Sequence, residues 1–472
     1  MTPFYLLLIG LVIVIGSILL FRLHPILALL LGALAVAFLT PSAFLQQYAL
    51  TSNYSVEDAL AFAQQTPGER IAISFGQTAE KIGLLIALAS IMGKCLLESG
   101  AAERIVRTMV SLLGERQTPL AYMLSSFVLG IPIFFDTIFY LMIPLARAMG
   151  VRRQKAYALC VMAIIAGGSM AHSLVPPTPG PLFAAGAFGV KIGFMIVMGT
   201  VVGLICAVMG LLYGLWLNKR QNIPLRTTSD SSLEDLQAWL NKDTSQLPSF
   251  FISNLPIALP VFLIAAQAVV SNLQLDVSEN LQIFLKQAGN PVIALFIGTA
   301  IALYILARQY SYHLRELKKP VENALGNAGT IILITCMGGA FGAILQQTSI
   351  GTWLTGISSD YKLATLPLAF FVTAIIRTAQ GSATVAMITA VGILTVLNAP
   401  GALGFHPVYL AIVIGCGSKL FPWMNDSGFW IICKMSGFTE GETIRNFSVL
   451  LTIMGVTGLL ACMALAKLFP FI

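Results

Sequence analysis

Charged side chains are so sparse in this 472-residue chain that those standing alone in apolar sequence mark where its chemistry lies. Asp136 has 19 uncharged residues before it and ten after, and it closes the run 131–136 (IPIFFD). Pro132 removes a backbone donor and Gly130 loosens the turn before it, so a helix must break here. A carboxylate in such surroundings is costly unless it is paired, hydrated or protonated, which suits a proton-coupling or substrate-orienting acid. The structural alternative is a carboxylate capping a half-helix. Arg377 stands between uncharged runs of 14 and 41 residues. Its forked, permanently charged guanidinium suits a carboxylate ligand. In 377–384 (RTAQGSAT), Gly381, Ser382 and Thr384 would leave N–H groups and hydroxyls free to cradle an anion where a half-helix begins. Otherwise Arg377 snorkels or pairs with an acid, Asp136 being one candidate.

Two more breaks carry polar groups. The segment 172–181 (HSLVPPTPGP) has four prolines in six residues and cannot be helical. His172, beside it, could relay protons, because imidazole titrates near physiological pH, or it could be a hydrogen-bonded structural residue. In 421–428 (FPWMNDSG), Asn425 and Ser427 can donate to a polyhydroxy ligand and Asp426 is a second candidate acid. Asn and Asp are also good caps for a helix starting near Phe429.

The elements that must position these groups are membrane helices. The chain is 57% hydrophobic and 10% charged, with mean hydropathy +0.86, whereas soluble domains carry about 25% charged residues. That excludes a soluble enzyme, a secreted disulfide scaffold and a disordered chain. The excess of 27 Lys+Arg over 20 Asp+Glu collects in short loops, as the positive-inside rule expects, so nucleic acid is not a partner. The seven cysteines form no C-x-x-C pair and read as buried small hydrophobes, with no metal site or disulfide. H-E-x-x-H, G-x-S-x-G and G-x-x-x-x-G-K-[ST] are all missing, which argues against an enzyme and against ATP-driven pumping. Residues 4–21 read as a retained first span with its N-terminus outside.

The runs 192–218, 249–275, 290–307 and 446–466 fit single spans of about 20 residues. The runs 23–56, 156–190, 323–359 and 378–418 are too long, and the last three are expected to be interrupted helices or re-entrant hairpins. The fold class is therefore an all-α membrane protein, a polytopic bundle of about 11–14 spans or half-spans. Three basic groups face the cytoplasm: Arg147, Arg152, Arg153 and Lys155; Lys219, Arg220 and Arg226; and Arg308, Arg315, Lys318 and Lys319. The spans between them come in even numbers. The side of 98–117 stays open.

Pro119-Leu120-Ala121-Tyr122 returns as Pro367-Leu368-Ala369-Phe370, a shift of 248 that also lays the break at 130–136 on 378–384 and that at 170–180 on 418–428. Two inverted repeats with broken helices follow. The expected organisation is N-terminal spans and an outer connection (1–70), a first transport repeat (71–217), a cytoplasmic loop (218–248), connecting spans (249–320), a second transport repeat (321–434) and a last span (435–472).

The segments 131–136 (IPIFFD), 172–181 (HSLVPPTPGP), 377–387 (RTAQGSATVAM), 424–430 (MNDSGFW) and 24–32 (HPILALLLG) together resemble the gluconate:proton symporter (GntP-type) permeases, in order along nearly the whole chain. The resemblance implies a bacterial inner-membrane, multi-pass permease that takes up a sugar acid or related hydroxy-carboxylate with protons. No cofactor beyond the proton gradient is implied. The wider ion-transporter class it points to is built from inverted repeats with re-entrant hairpins and is often a homodimer. Thr178 departs from the family pattern, since many members have histidine between the prolines; it joins the expected substrate region. Arg377, with N–H groups at Gly381 and Ser382, would hold the carboxylate, while Asn425, Ser427 and Thr384 bind hydroxyls and Asp136, Asp426 or His172 carries the proton. D-serine or another small hydroxy acid is the alternative substrate, and an uncoupled channel or facilitator the alternative class.

Overall fold

A computed structural model describes residues 2–471 except 22, 53, 115–116, 153–156, 222, 224, 227–246, 274–277, 311–312, 350–362, 399–402 and 425. Prolines start or break many of its elements. The chain begins with α1 (Pro3–Leu19) and α2 (Pro25–Leu39), which turns through 100° into α3 (Ser42–Thr51) across Pro41. After α4 (Val56–Gln64), a Thr66–Glu69 capping box starts α5 (Pro67–Glu98). Gly100, at φ 75°, lets the chain bend by 65° into α6 (Ala101–Leu113). Then come α7 (Thr118–Gly130), α8 (Phe135–Arg152), α9 (Tyr157–Leu174), α10 (Pro179–Ala187) and α11 (Ile192–Arg220). Beyond the hydrophilic stretch lie α12 (Phe250–Leu273), α13 (Glu279–Ala288), α14 (Pro291–Gln309) and α15 (Lys318–Gln346). The last elements are α16 (Thr365–Gln380), α17 (Ala383–Leu394), α18 (Val408–Gly417), α19 (Ser427–Ser436) and α20 (Glu440–Leu468), which contains one π turn at Ile444–Ser448. No strand occurs among the described residues.

The expected single spans are α11, α12, α14 and α20, and the first proline-bearing break falls where expected, at 131–134. The second is shorter than expected, 175–178, because His172–Leu174 still belong to α9 and Pro179–Pro181 already open α10, whose first turn needs no N–H donors. The run 323–359 stays helical through Gln346, across Gly338, Gly339 and Gly342, and breaks at 347–349, where Ser349 is at φ 60°; its residues 350–359 lie outside the described residues. Without an internal proline its hydrogen-bond ladder stays intact to Gln346, and its glycines serve close packing instead. A Cβ on Gly342 would lie 2.7 Å from Gly392 O, and one on Gly392 2.6 Å from Gly338 O. Gly392→Val should accordingly destabilise the α15–α17 seam by about 1–3 kcal/mol. A lowered thermal midpoint of the purified protein would register this. Gly326→Val, on α15 with nothing within 4 Å of its added Cβ, should leave the midpoint unchanged.

Elements recur at the 248-residue offset. α8 begins at Phe135 and α17 at Ala383; α10 begins at Pro179 and α19 at Ser427; α11 spans Ile192–Arg220 and α20 spans Glu440–Leu468. Packing follows the same pairing. α7 lies against α9 as α16 lies against α18, α5 packs on α15, and α11 on α20. The short helices cross over: α10 seats on α17 and α19 on α8. The core thereby joins the two halves, with α9 and α18 wholly buried at its centre.

Candidate functional site: a polar cavity between broken helices

Three helix breaks, those that precede α8, α17 and α19, meet beside the buried helix α9 at one cavity of about 130 Å³. α16 ends because Gly381 turns left-handed, at φ 81°, and Ser382 then caps α17, its Oγ accepting the Val385 N–H at 3.4 Å. The Gly381 N–H is not free, because it donates to Arg377 O at 2.9 Å. Donors open to an anion are instead those of the first turn of α17, at Ala383 and Thr384, which have no intrahelical acceptor.

Arg377, 3% exposed, lies in the last turn of α16. Its Nε donates to Ser418 O at 3.0 Å and its Nη2 to Asp426 Oδ2; Nη1 has no hydrogen-bond partner among the described residues. Its acid partner is thus Asp426 rather than Asp136. Asp426 is also the N-cap of α19, its Oδ1 accepting the Gly428 N–H at 2.7 Å. Both carboxylate oxygens are engaged, one in ion pairing and one in capping.

Asp136 occupies the first turn of α8, half-buried, across from Gly428. A Cβ on Gly428 would lie 3.2 Å from Asp426 Oδ1 and 3.7 Å from Asp136 Oδ1, so the glycine is a spacer between two acids. His172, near the end of α9, has its Nε2 3.5 Å from Thr384 Oγ1 and its ring 5.5 Å from that of Phe134. Its Nδ1 and the Ser169 Oγ are buried without a partner among the described residues. Unsatisfied buried groups beside a cavity are what a site for a polar ligand or water leaves.

Of the residues singled out from sequence, Asp136, His172, Arg377, Gly381, Ser382, Thr384, Asp426 and Ser427 all line this cavity. Thr178 does not. It precedes α10, its hydroxyl donating to Val175 O at 2.8 Å within its own turn. Asn425 lies outside the described residues. Sequence reasoning passed over Lys419, which lines the cavity at 4% exposure. The signal that picked out Arg377 was there too, since 41 uncharged residues precede Lys419 and six separate it from Asp426. Phe447, in the π turn of α20, is a further lining residue.

The far end of α19 is clamped. Arg147 Nη1 donates to Met435 O at 3.0 Å, Tyr157 Oη to Ser436 O at 2.7 Å and Arg226 Nη1 to Gly437 O at 2.9 Å. Arg226 also forks onto Glu442 at 2.6 and 2.9 Å. These donors satisfy carbonyls that a helix end leaves open, and so fix the short helix whose other end faces the cavity.

Broken helices meeting over a buried polar cavity inside an apolar bundle define a multi-pass membrane transporter. The Alcanivorax borkumensis YdaH transporter has the same fold at 13% identity, with a TM-score of 0.64 over 95% of this chain and 99% of that one. The chain belongs to the GntP family permeases, whose profile matches residues 62–469. The gluconate permease of Pseudomonas aeruginosa is 31% identical over 98% of each chain, and the Gnt-II system L-idonate transporter of Escherichia coli K12 is 27% identical over 83% of this chain and 87% of that one. The protein is therefore a permease of the inner membrane and not an enzyme.

Proposed function

We propose that this permease takes up a sugar acid of the gluconate type together with protons. The observation that carries the reading is the cavity itself, where an unpartnered guanidinium nitrogen, first-turn N–H groups and hydroxyls converge beside two acids. Family relatives named as gluconate and L-idonate transporters point to the same ligand class. Arg377 Nη1 and the Ala383 and Thr384 N–H groups receive the carboxylate; the Ser382, Thr384 and Ser427 hydroxyls and Asn425 meet the polyol. Asp136 is the favoured proton carrier. Asp426 is held on both oxygens, whereas no hydrogen bond joins the Asp136 carboxylate to another described residue. His172, beside Thr384, serves as a relay. The 248-residue recurrence supports halves of opposite orientation that alternate access around the cavity, and the ligand drives that change through its different affinities for the two states.

Labelled gluconate uptake into proteoliposomes tests this, with and without an inward proton gradient and with glycerate, D-serine and citrate as competitors. Gradient-driven accumulation that sugar acids suppress is the expected result. Entry indifferent to the gradient would discard proton coupling; competition by D-serine alone would replace the substrate class.

A further inference from the structure

Most of the Arg377 guanidinium is committed inside the protein, to Ser418 O through Nε and to Asp426 through Nη2. A single nitrogen is a thin grip for an anion to be lifted out of water. The second cation of the cavity is better placed. Lys419 follows the end of α18, where the chain turns through Lys419 N–H to Cys416 O at 3.0 Å and Leu420 N–H to Gly417 O at 3.1 Å. Its stem runs along α20 at Gly455, where an added Cβ would come 3.3 Å from the Lys419 Cβ, so the glycine's bare face gives the side chain its path. The side chain is 4% exposed and lines the cavity, yet no hydrogen bond or ion pair joins its ammonium to a described residue. An ammonium has three donors and no acceptor, and burying one without a direct counter-ion is costly. Asp136 and Asp426 line the same cavity without a hydrogen bond to it, which leaves its three donors open to an anion that enters.

The charges facing this ammonium can be counted element by element. Asp136 comes from α8, the imidazole of His172 from α9, Arg377 from α16 and Asp426 from the start of α19; the charges are counted with the imidazole in its uncharged form. With Lys419 these are two acids and two bases, so the empty site is neutral. A monocarboxylate adds one negative charge, which one proton on Asp136 cancels. A dicarboxylate adds two and leaves one uncompensated in a medium where isolated charge is expensive.

We propose that Lys419 is a direct ligand of the substrate carboxylate, and that the site's charge count restricts it to monocarboxylates. This rests on the sugar-acid reading above and extends it to a named residue and a selection rule. Without Lys419 the cavity keeps its polyol contacts and the single free nitrogen of Arg377 but loses most of its hold on negative charge. The loss of a buried charged contact weakens binding about a hundredfold, while a ligand without the charge is unaffected.

The test uses the purified full chain and three ligands on one carbon skeleton: gluconate, its uncharged amide gluconamide, and glucarate with a carboxylate at each end. Binding is measured by calorimetry for the wild type, Lys419→Met and Lys419→Gln, each first checked for a single gel-filtration peak. The wild type should bind gluconate far more tightly than gluconamide and at least about tenfold more tightly than glucarate. In both variants the preference for gluconate over gluconamide should fall by about a hundredfold while the affinity for gluconamide is kept. A merely structural role would weaken both ligands alike, and an unchanged ratio would overturn the assignment of Lys419 while leaving the sugar-acid reading in place. Equal wild-type affinity for glucarate and gluconate would overturn the selection rule. Failure of the wild type to bind gluconate or gluconamide would overturn the sugar-acid reading and this extension together.

Discussion

Arg377→Gln is expected to abolish concentrative uptake and to weaken the fold at the same time. The guanidinium holds Asp426, which caps α19, and it ties α16 to the turn after α18 through Ser418 O. Removing it strands a carboxylate that is 5% exposed; breaking one side of a buried ion pair costs about 3–5 kcal/mol. The two effects separate in a double variant. Arg377→Gln with Asp426→Asn removes both charges, and an amide at 426 can still accept the Gly428 N–H. The double variant should recover much of the thermal stability lost in the single one, yet remain inactive in proteoliposome uptake. Uptake at the wild-type rate by Arg377→Gln, with normal expression, would remove the residue from the site.

Asp136→Asn should leave a carrier that binds and exchanges substrate but no longer concentrates it. Asparagine keeps the size of the side chain and gives up the proton. With one coupled proton, each pH unit across the membrane is worth about 1.4 kcal/mol, or a tenfold accumulation ratio. In Asp136→Asn that ratio should fall to about one, while counterflow of labelled against unlabelled substrate persists. Counterflow lost together with accumulation would make Asp136 a binding residue instead. Accumulation that persists in Asp136→Asn but vanishes in Asp426→Asn would transfer the proton to the capping acid.

Proline made much of the architecture legible. Pro132 beside Gly130 and the paired Pro176–Pro177 delete donors where the chain also turns, so those breaks could be placed to within a few residues, whereas the lone Pro144, Pro256 and Pro260 stay inside helices. Glycine gave no such certainty. Gly381 ends α16 by turning left-handed, while Gly338, Gly339 and Gly342 sit inside an unbroken helix, because what decides between ending a helix and packing one is the neighbour and not the residue. Partner choice was equally hidden. Arg377 could be seen as a cation needing an acid, but selecting Asp426 over Asp136 depends on how the end of α16 meets the start of α19, a contact between residues 49 positions apart. The π turn that brings Phe447 to the cavity has no composition to announce it. Lys419 is different, because its isolation in apolar sequence was as plain as that of Arg377 and only its neighbours in space show what it faces.

The crossing of the short helices bears on how the protein is made. α19 rests on α8, and α10 on α17, so each half holds the other's smallest piece. A chain synthesised from its N-terminus lays down α8, with Asp136 at its head, long before its covering helix exists. Until the residues around 427 have been inserted, that acid sits in the bilayer with neither Arg377 nor Lys419 beside it. Each half leaves a buried face to be covered by the other. If the gene were severed within the hydrophilic stretch at 218–248, the two products would have to find each other in the lipid before either was finished, and a first half made alone would be a natural target for membrane proteases.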